Sequence, residues 1–153
     1  MHANMKPNEY SAILGVVSPV SQGVGAIDTG WVDIANWQLL ELTVGTGVLG
    51  GGATLDVKFQ HASSSGGAGA EDVTGKALTQ IVKASGDNKQ ATLTIRPEEL
   101  KGAALNITNG ARWVRGVLTV GVAASMVGAM LKGFSQRNGQ IADLDLASVV
   151  QLA

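Results

Sequence analysis

The sequence predicts an all-β protein, an antiparallel β-sandwich with extended N- and C-terminal arms. Three observations carry that expectation. Several segments alternate apolar and polar residues with period two, as strands with one face in a core and one in water do. Glycine-, serine- and asparagine-rich turns separate them at short intervals. No segment carries an apolar helical stripe longer than about three turns.

The elements follow in chain order. Residues 1–10 are polar and irregular and are expected to form an N-terminal arm. Ser11 to Val20 is a weak apolar run interrupted by Gly15 and Pro19. Trp31–Trp37 and Leu39–Val44 are strand candidates, followed by the glycine-dense stretch Gly45–Gly52. Leu55, Val57 and Phe59 then point one way, and Thr54, Asp56, Lys58 and Gln60 the other. Ser63–Gly69 reads as a loop, and Ala77–Val82 as a further strand. Ser85-Gly86-Asp87-Asn88 is turn chemistry, since such residues tolerate positive φ. Ala91, Leu93 and Ile95 alternate with Gln90, Thr92, Thr94 and Arg96. Pro97-Glu98-Glu99-Leu100 suits one short helical turn with proline in its first position. After the turn pair Asn109-Gly110, Arg112–Val120 and Ala124–Leu131 are the last strand candidates of the sandwich. The sandwich is thus expected over 11–133 and a C-terminal arm over 134–153. In that arm Ala142, Leu144, Leu146, Ser148 and Val150 share one face if extended. The arm could instead be a last strand of the chain's own sheet.

Composition narrows the function. A chain of 153 residues is the size of one domain and long enough to bury a core unaided. Charged residues are 15% of it and the net charge is −1, so nothing steers it toward nucleic acid or an anionic membrane. The absence of cysteine excludes disulfides and thiolate zinc sites. The apolar run Ser11–Val20 is too broken for a secretory signal. Gly116 to Leu131, bounded by Arg115 and Lys132, is shorter than the roughly 18–20 apolar residues a membrane span needs. Two buried strands explain it.

Candidate chemical motifs fail on their own requirements. Gly45-Thr46-Gly47-Val48-Leu49-Gly50 matches G-x-G-x-x-G, yet a period-two strand follows where a pyrophosphate site needs a helix. His2 and His61 are the only histidines, too few for a ligand cluster or a serine–histidine relay partnered elsewhere. Glu71-Asp72 and Glu98-Glu99 are adjacent pairs that read as solvated charge, as do Asp143 and Asp145. The sequon Asn106-Ile107-Thr108 lacks a secretory context. Trp31, Trp37 and Trp113 suit a core or a sheet rim better than a sugar platform, and Arg112 and Arg115 beside Trp113 are too few for a nucleic-acid surface. No catalytic, cofactor or metal residue is assigned, and the chain is read as a non-enzyme.

The order of segments resembles a known group. It runs Gly30-Trp31-Val32-Asp33-Ile34, Ala53 through His61, Asp72-Val73-Thr74-Gly75, Leu78-Thr79-Gln80-Ile81, Ala91 through Ile95 and Ala111 through Val117. Over about residues 24–133 this is similar to capsid decoration (cement) proteins of tailed bacteriophages. The resemblance implies a jelly-roll-like sandwich on the outside of a virion, assembled in the host bacterial cytoplasm. It also implies the major capsid protein as partner, with self-association as a dimer or trimer. A tail or head–tail component is the alternative, and a carbohydrate-binding sandwich a more distant one. Phe134, Ile141, Leu144, Leu146, Val149, Val150 and Leu152 are the expected apolar contacts of the arm with a neighbouring subunit.

Overall fold

The computed structural model describes residues 10–103 and 112–136. Strand β1 spans Ser11–Gln22, β2 Gly25–Asp28, β3 Val32–Asp33, β4 Trp37–Thr46 and β5 Thr54–Ala62. The remaining strands are β6 Glu71–Ala77, β7 Ile81–Val82, β8 Gln90–Ile95, β9 Trp113–Gly121 and β10 Ser125–Gln136. Two short helices, α1 (Lys83–Gly86) and α2 (Pro97–Ala103), flank β8.

These strands form two antiparallel sheets. The first runs β1-β10-β4-β8; the second runs β2-β9-β5-β6, with β3 also on β9 and β7 also on β5. Counting β2 with β3 and β6 with β7 as single broken strands leaves eight, and their pairing is nested. The first pairs with the last, the second with the seventh, the third with the sixth and the fourth with the fifth. That is one long hairpin rolled up, the jelly-roll arrangement.

Between the sheets lies one apolar core. Leu40, Leu42, Val44 and Leu131 of the first sheet meet Leu55, Val57, Phe59, Val114 and Leu118 of the second, all buried. Two glycines permit the close approach. A side chain at Gly116 would meet Leu42 Cδ2 at 2.6 Å, and one at Gly133 would meet the Trp37 indole at 2.4 Å. Trp37, 1% exposed, therefore fills space that β10 leaves open for it.

Several elements differ from the sequence expectation. Trp31–Trp37 is not one strand: a 3-10 turn at Ile34–Asn36 interrupts it, where the Asp33 carboxylate accepts from the Ala35 amide at 2.9 Å. Ser11–Val20 lies within a regular edge strand, because register shifts at Ile13/Gly15 and Val17/Val20 absorb its glycine and proline. Ala77–Val82 divides between the end of β6 and β7. Strand β10 continues three residues past the expected boundary at 133, to Gln136. The short helix at Pro97 forms as expected. The Glu99 carboxylate reaches back to the Arg96 amide at 2.8 Å, a cap of the kind that fixes helix starts. Residues 1–9, the turn Asn109-Gly110, the sequon and the arm beyond Gln136 lie outside the described residues.

Candidate interaction surfaces

Many of the charged and polar side chains of the described residues are tied to one another. On the outer side of the second sheet Lys58 pairs with Asp72 at 2.6 Å, and Gln60 donates to the same carboxylate at 2.8 Å. The Lys58 and Gln60 hydrogen bonds hold Asp72 below its ordinary pKa of 3.8, against a smaller burial effect. Arg115 donates to Asp28 at 2.8 Å and to Gln60, and its guanidinium lies 4.5 Å from the centre of the Trp31 ring. Asp56 accepts from Gln80 at 3.1 Å. At the rim, burial raises and the Arg112 and Ala35 contacts lower the pKa of Asp33, with a net downward shift. Lys76 bridges Glu99 at 2.7 Å and the Thr94 carbonyl, and the Lys76 hydrogen bond keeps Glu99 low.

No group of three or more histidine, aspartate or glutamate side chains is placed to hold a metal among the described residues. His61 is buried in β5 at 2% exposure, and its Nδ1 has no hydrogen-bond partner among those residues. Trp37 lies in the core, Trp31 beneath Arg115, and Trp113 half-buried on β9.

The outer side of the first sheet has a different character. Its outward positions on β10 are Met126, Gly128, Met130, Lys132 and Phe134, and on β4 Leu39, Glu41, Thr43 and Gly45. Glu41 and Lys132 stand directly opposite one another. A groove of about 380 Å³ runs between β1, β10 and β4, lined by Val16, Pro19, Thr43, Met126, Gly128 and Met130. A second cleft, of about 850 Å³, lies toward the other end, between Tyr10, Gln38, Leu39, Arg96 and Phe134. Phe134, the one expected contact residue among the described ones, packs its ring 5.7 Å from that of Tyr10. Ile141, Leu144, Leu146, Val149, Val150 and Leu152 lie outside the described residues.

A feature not anticipated from the sequence is the apolar end of the sandwich. Among the described residues, Val20, Val24, Val48, Val82, Val122 and Met126 are the large apolar side chains that stand exposed, and strand register gathers them at one end. Ser21 pairs with Met126, and Gly25 with Val120. The Met126 amide donates to the Val48 carbonyl at 3.2 Å. Thr54 sits between Val82 and Gly121, next to Val122.

No family model and no curated protein matches the chain. Among solved structures it is similar to a chain of the cryo-electron microscopy structure of broad bean stain virus, at 10% identity and TM-score 0.46. That alignment covers 95% of this chain and 100% of the other. It is also similar to a chain of infectious bursal disease virus, Gx strain, at 17% identity and TM-score 0.47, over 85% of this chain and 32% of that one. A third likeness is to Bacillus endospore appendages described as disulfide-linked pili, at 16% identity and TM-score 0.35, over 90% and 100%. At these identities and TM-scores none of the three bears on what this chain does.

Proposed function

We propose that this chain is a virion structural protein without catalytic activity, a decoration protein on the outer surface of a tailed-phage capsid that bridges neighbouring capsid subunits. The observation that carries this reading is the apolar groove between β1, β10 and β4, running into an apolar end of a sandwich whose second sheet pairs most of its outward charges with each other. Such a surface is suited to being covered by protein. The sequence resemblance over residues 24–133 supports the same reading.

In this account the major capsid protein covers the groove between β1, β10 and β4, and the segment Ile141–Leu152 extends the attachment to a neighbouring subunit by strand addition. Each apolar side chain of that segment, fully buried, contributes roughly 1.5–3 kcal/mol before the cost of ordering it. Repetition over a symmetric shell adds avidity.

Because β10 runs to Gln136 and Phe134 packs on Tyr10, the informative truncation removes residues 137–153 and no more. The truncated protein is expected to fold as the full chain does and to occupy capsids at a markedly lower level. Copy number in purified particles, measured by quantitative gel or mass spectrometry, reads this out. Full occupancy by the truncated protein excludes the attachment role of the segment. A few copies per particle, in place of hundreds, assign the chain to the tail or the head–tail junction.

A further inference from the structure

We propose that the free protein folds residues 141–146 back into the cleft at the Tyr10 end of its own first sheet, so that the segment is held by the copy it belongs to. Three observations lead there. The first is the root of the segment. Strand β10 ends at Gln136, and Phe134 and Ser135 just before it line the cleft of about 850 Å³. Ser135 takes φ +52°, a left-handed conformation of the kind that bends a strand.

The second is reach. From β10 the cleft crosses β4 to Arg96, the residue after β8. That is two strand spacings, about 10 Å. The stretch from Gln136 to Asp143 spans up to about 25 Å when extended. So short a tether keeps the segment near its own cleft at about millimolar effective concentration. In micromolar solution it therefore outcompetes the segment of another copy.

The third is chemistry. Tyr10, Leu39 and Phe134 give the cleft a half-buried apolar floor, and Gln38, Arg96 and Glu98 stand exposed around it. Glu41 faces Lys132, Glu98 has a contact of its own, and Glu99 is taken by Lys76. Arg96 is in no salt bridge among the described residues. In residues 141–146, Leu144 and Leu146 share one face if extended, and Asp143 and Asp145 the other. The leucines match the floor, and the aspartates match Arg96 at the rim. Arg137, nearer the root, has the sign opposite to Glu41 and Glu98. Residues 1–9 also adjoin the cleft, through Tyr10, but hold no leucine, isoleucine or valine.

This inference goes beyond the decoration reading and concerns the protein before attachment. In that reading, binding to a neighbouring subunit draws the same segment out of the cleft. The chain has no cysteine, so Ser148→Cys takes a single nitroxide spin label. In the isotope-labelled full chain, that label is expected to broaden the amide signals of Leu39, Glu41 and Arg96 far more than those of Lys58 and Asp72 on the second sheet. Arg96→Glu and, separately, D143K/D145K are each expected to lower the docking constant roughly twofold to fivefold. The combination R96E/D143K/D145K is expected to restore it. Arg96 is exposed, which keeps that variant folded.

Equal broadening on both sheets, or none, overturns the proposal, as does broadening at the cleft that the charge variants leave unchanged. Broadening of isotope-labelled chains by spin-labelled chains mixed with them places another copy's segment in the cleft and overturns it too. So does a label at Asn4→Cys that broadens the cleft signals when the label at Ser148→Cys does not. All these readings come from the free protein. A docked segment in a protein missing from virions ends the decoration reading alone, and an undocked segment in a protein that decorates capsids ends this inference alone.

Discussion

The two sheets share a core but differ on their outer sides. The second sheet faces outward with Asp28, Lys58, Gln60, Asp72 and Arg115, joined into one hydrogen-bonded chain, and with Asp56, which accepts from Gln80. The first sheet faces outward with Val16, Pro19, Met126, Met130 and Phe134 along β1 and β10, next to Glu41, Lys132 and the uncharged Gln90, Thr92 and Thr94 of β8, while Arg96 and Glu98 line its second cleft. A polar face whose groups are already paired offers little to a partner, because a new bond to any of those groups displaces one already made. An apolar face in water is stabilised by being covered. The difference is why the proposed function places the partner on the first sheet, with the second sheet's charges engaged in contacts within the fold.

Substitutions can break or sharpen that contrast. The interior is common to both sheets, so the largest effect lies there and must ignore the contrast. Trp37→Ala is expected to destabilise by about 3–5 kcal/mol in urea unfolding. Gly116→Val, which drives a side chain into Leu42, is expected to cost about 1–3 kcal/mol by the same measurement.

On the second sheet the effects become smaller but remain effects on stability. Arg115→Ala removes the contacts to Asp28, Gln60 and Trp31 and should cost about 1 kcal/mol. Acid acts on other paired carboxylates of the fold. Asp72, Glu99 and Asp33 have folded-state pKa values below their ordinary ones. Their contribution is thus fully present above the unfolded values, 3.8 for aspartate and 4.5 for glutamate, and is lost as pH falls through the lower folded values. Melting temperature should hold above about pH 5 and fall below about pH 4. Asp72→Asn should flatten that fall, and an unchanged acid profile would remove Asp72 from the account.

The first sheet's outer side should show the smallest effect on stability. Met130→Lys is expected to change unfolding free energy by no more than about 0.5 kcal/mol while lowering capsid occupancy. A large loss of stability with occupancy unchanged would erase the contrast between the faces.

The strands legible in the sequence are those where alternation meets a one-sided core. Leu55, Val57 and Phe59 are all buried and their neighbours are not, so β5 could be read directly, as could β8 and β9. Edge strand β1 was hidden because Gly15 and Pro19 break its pattern, and an edge tolerates both. The turn at Ile34–Asn36 was hidden because Trp31, Val32, Ile34 and Trp37 look strand-like, whereas the break depends on the Asp33 carboxylate capping Ala35. The apolar tip could not be read at all. Val24, Val48 and Val122 are single valines in glycine-rich connections, about 24 and 74 positions apart in turn, and only the rolled topology makes them neighbours. Of the expected contact residues, Phe134 proved to be part of β10, packed on Tyr10.

The most direct test of the central claim is cryo-electron microscopy of the virion that carries this chain. The account predicts ordered density for the sandwich on the outer shell at junctions between capsid subunits, with the first sheet's outer side toward the shell. Density that presents the second sheet's charged face to the capsid, or none on the shell, would contradict it.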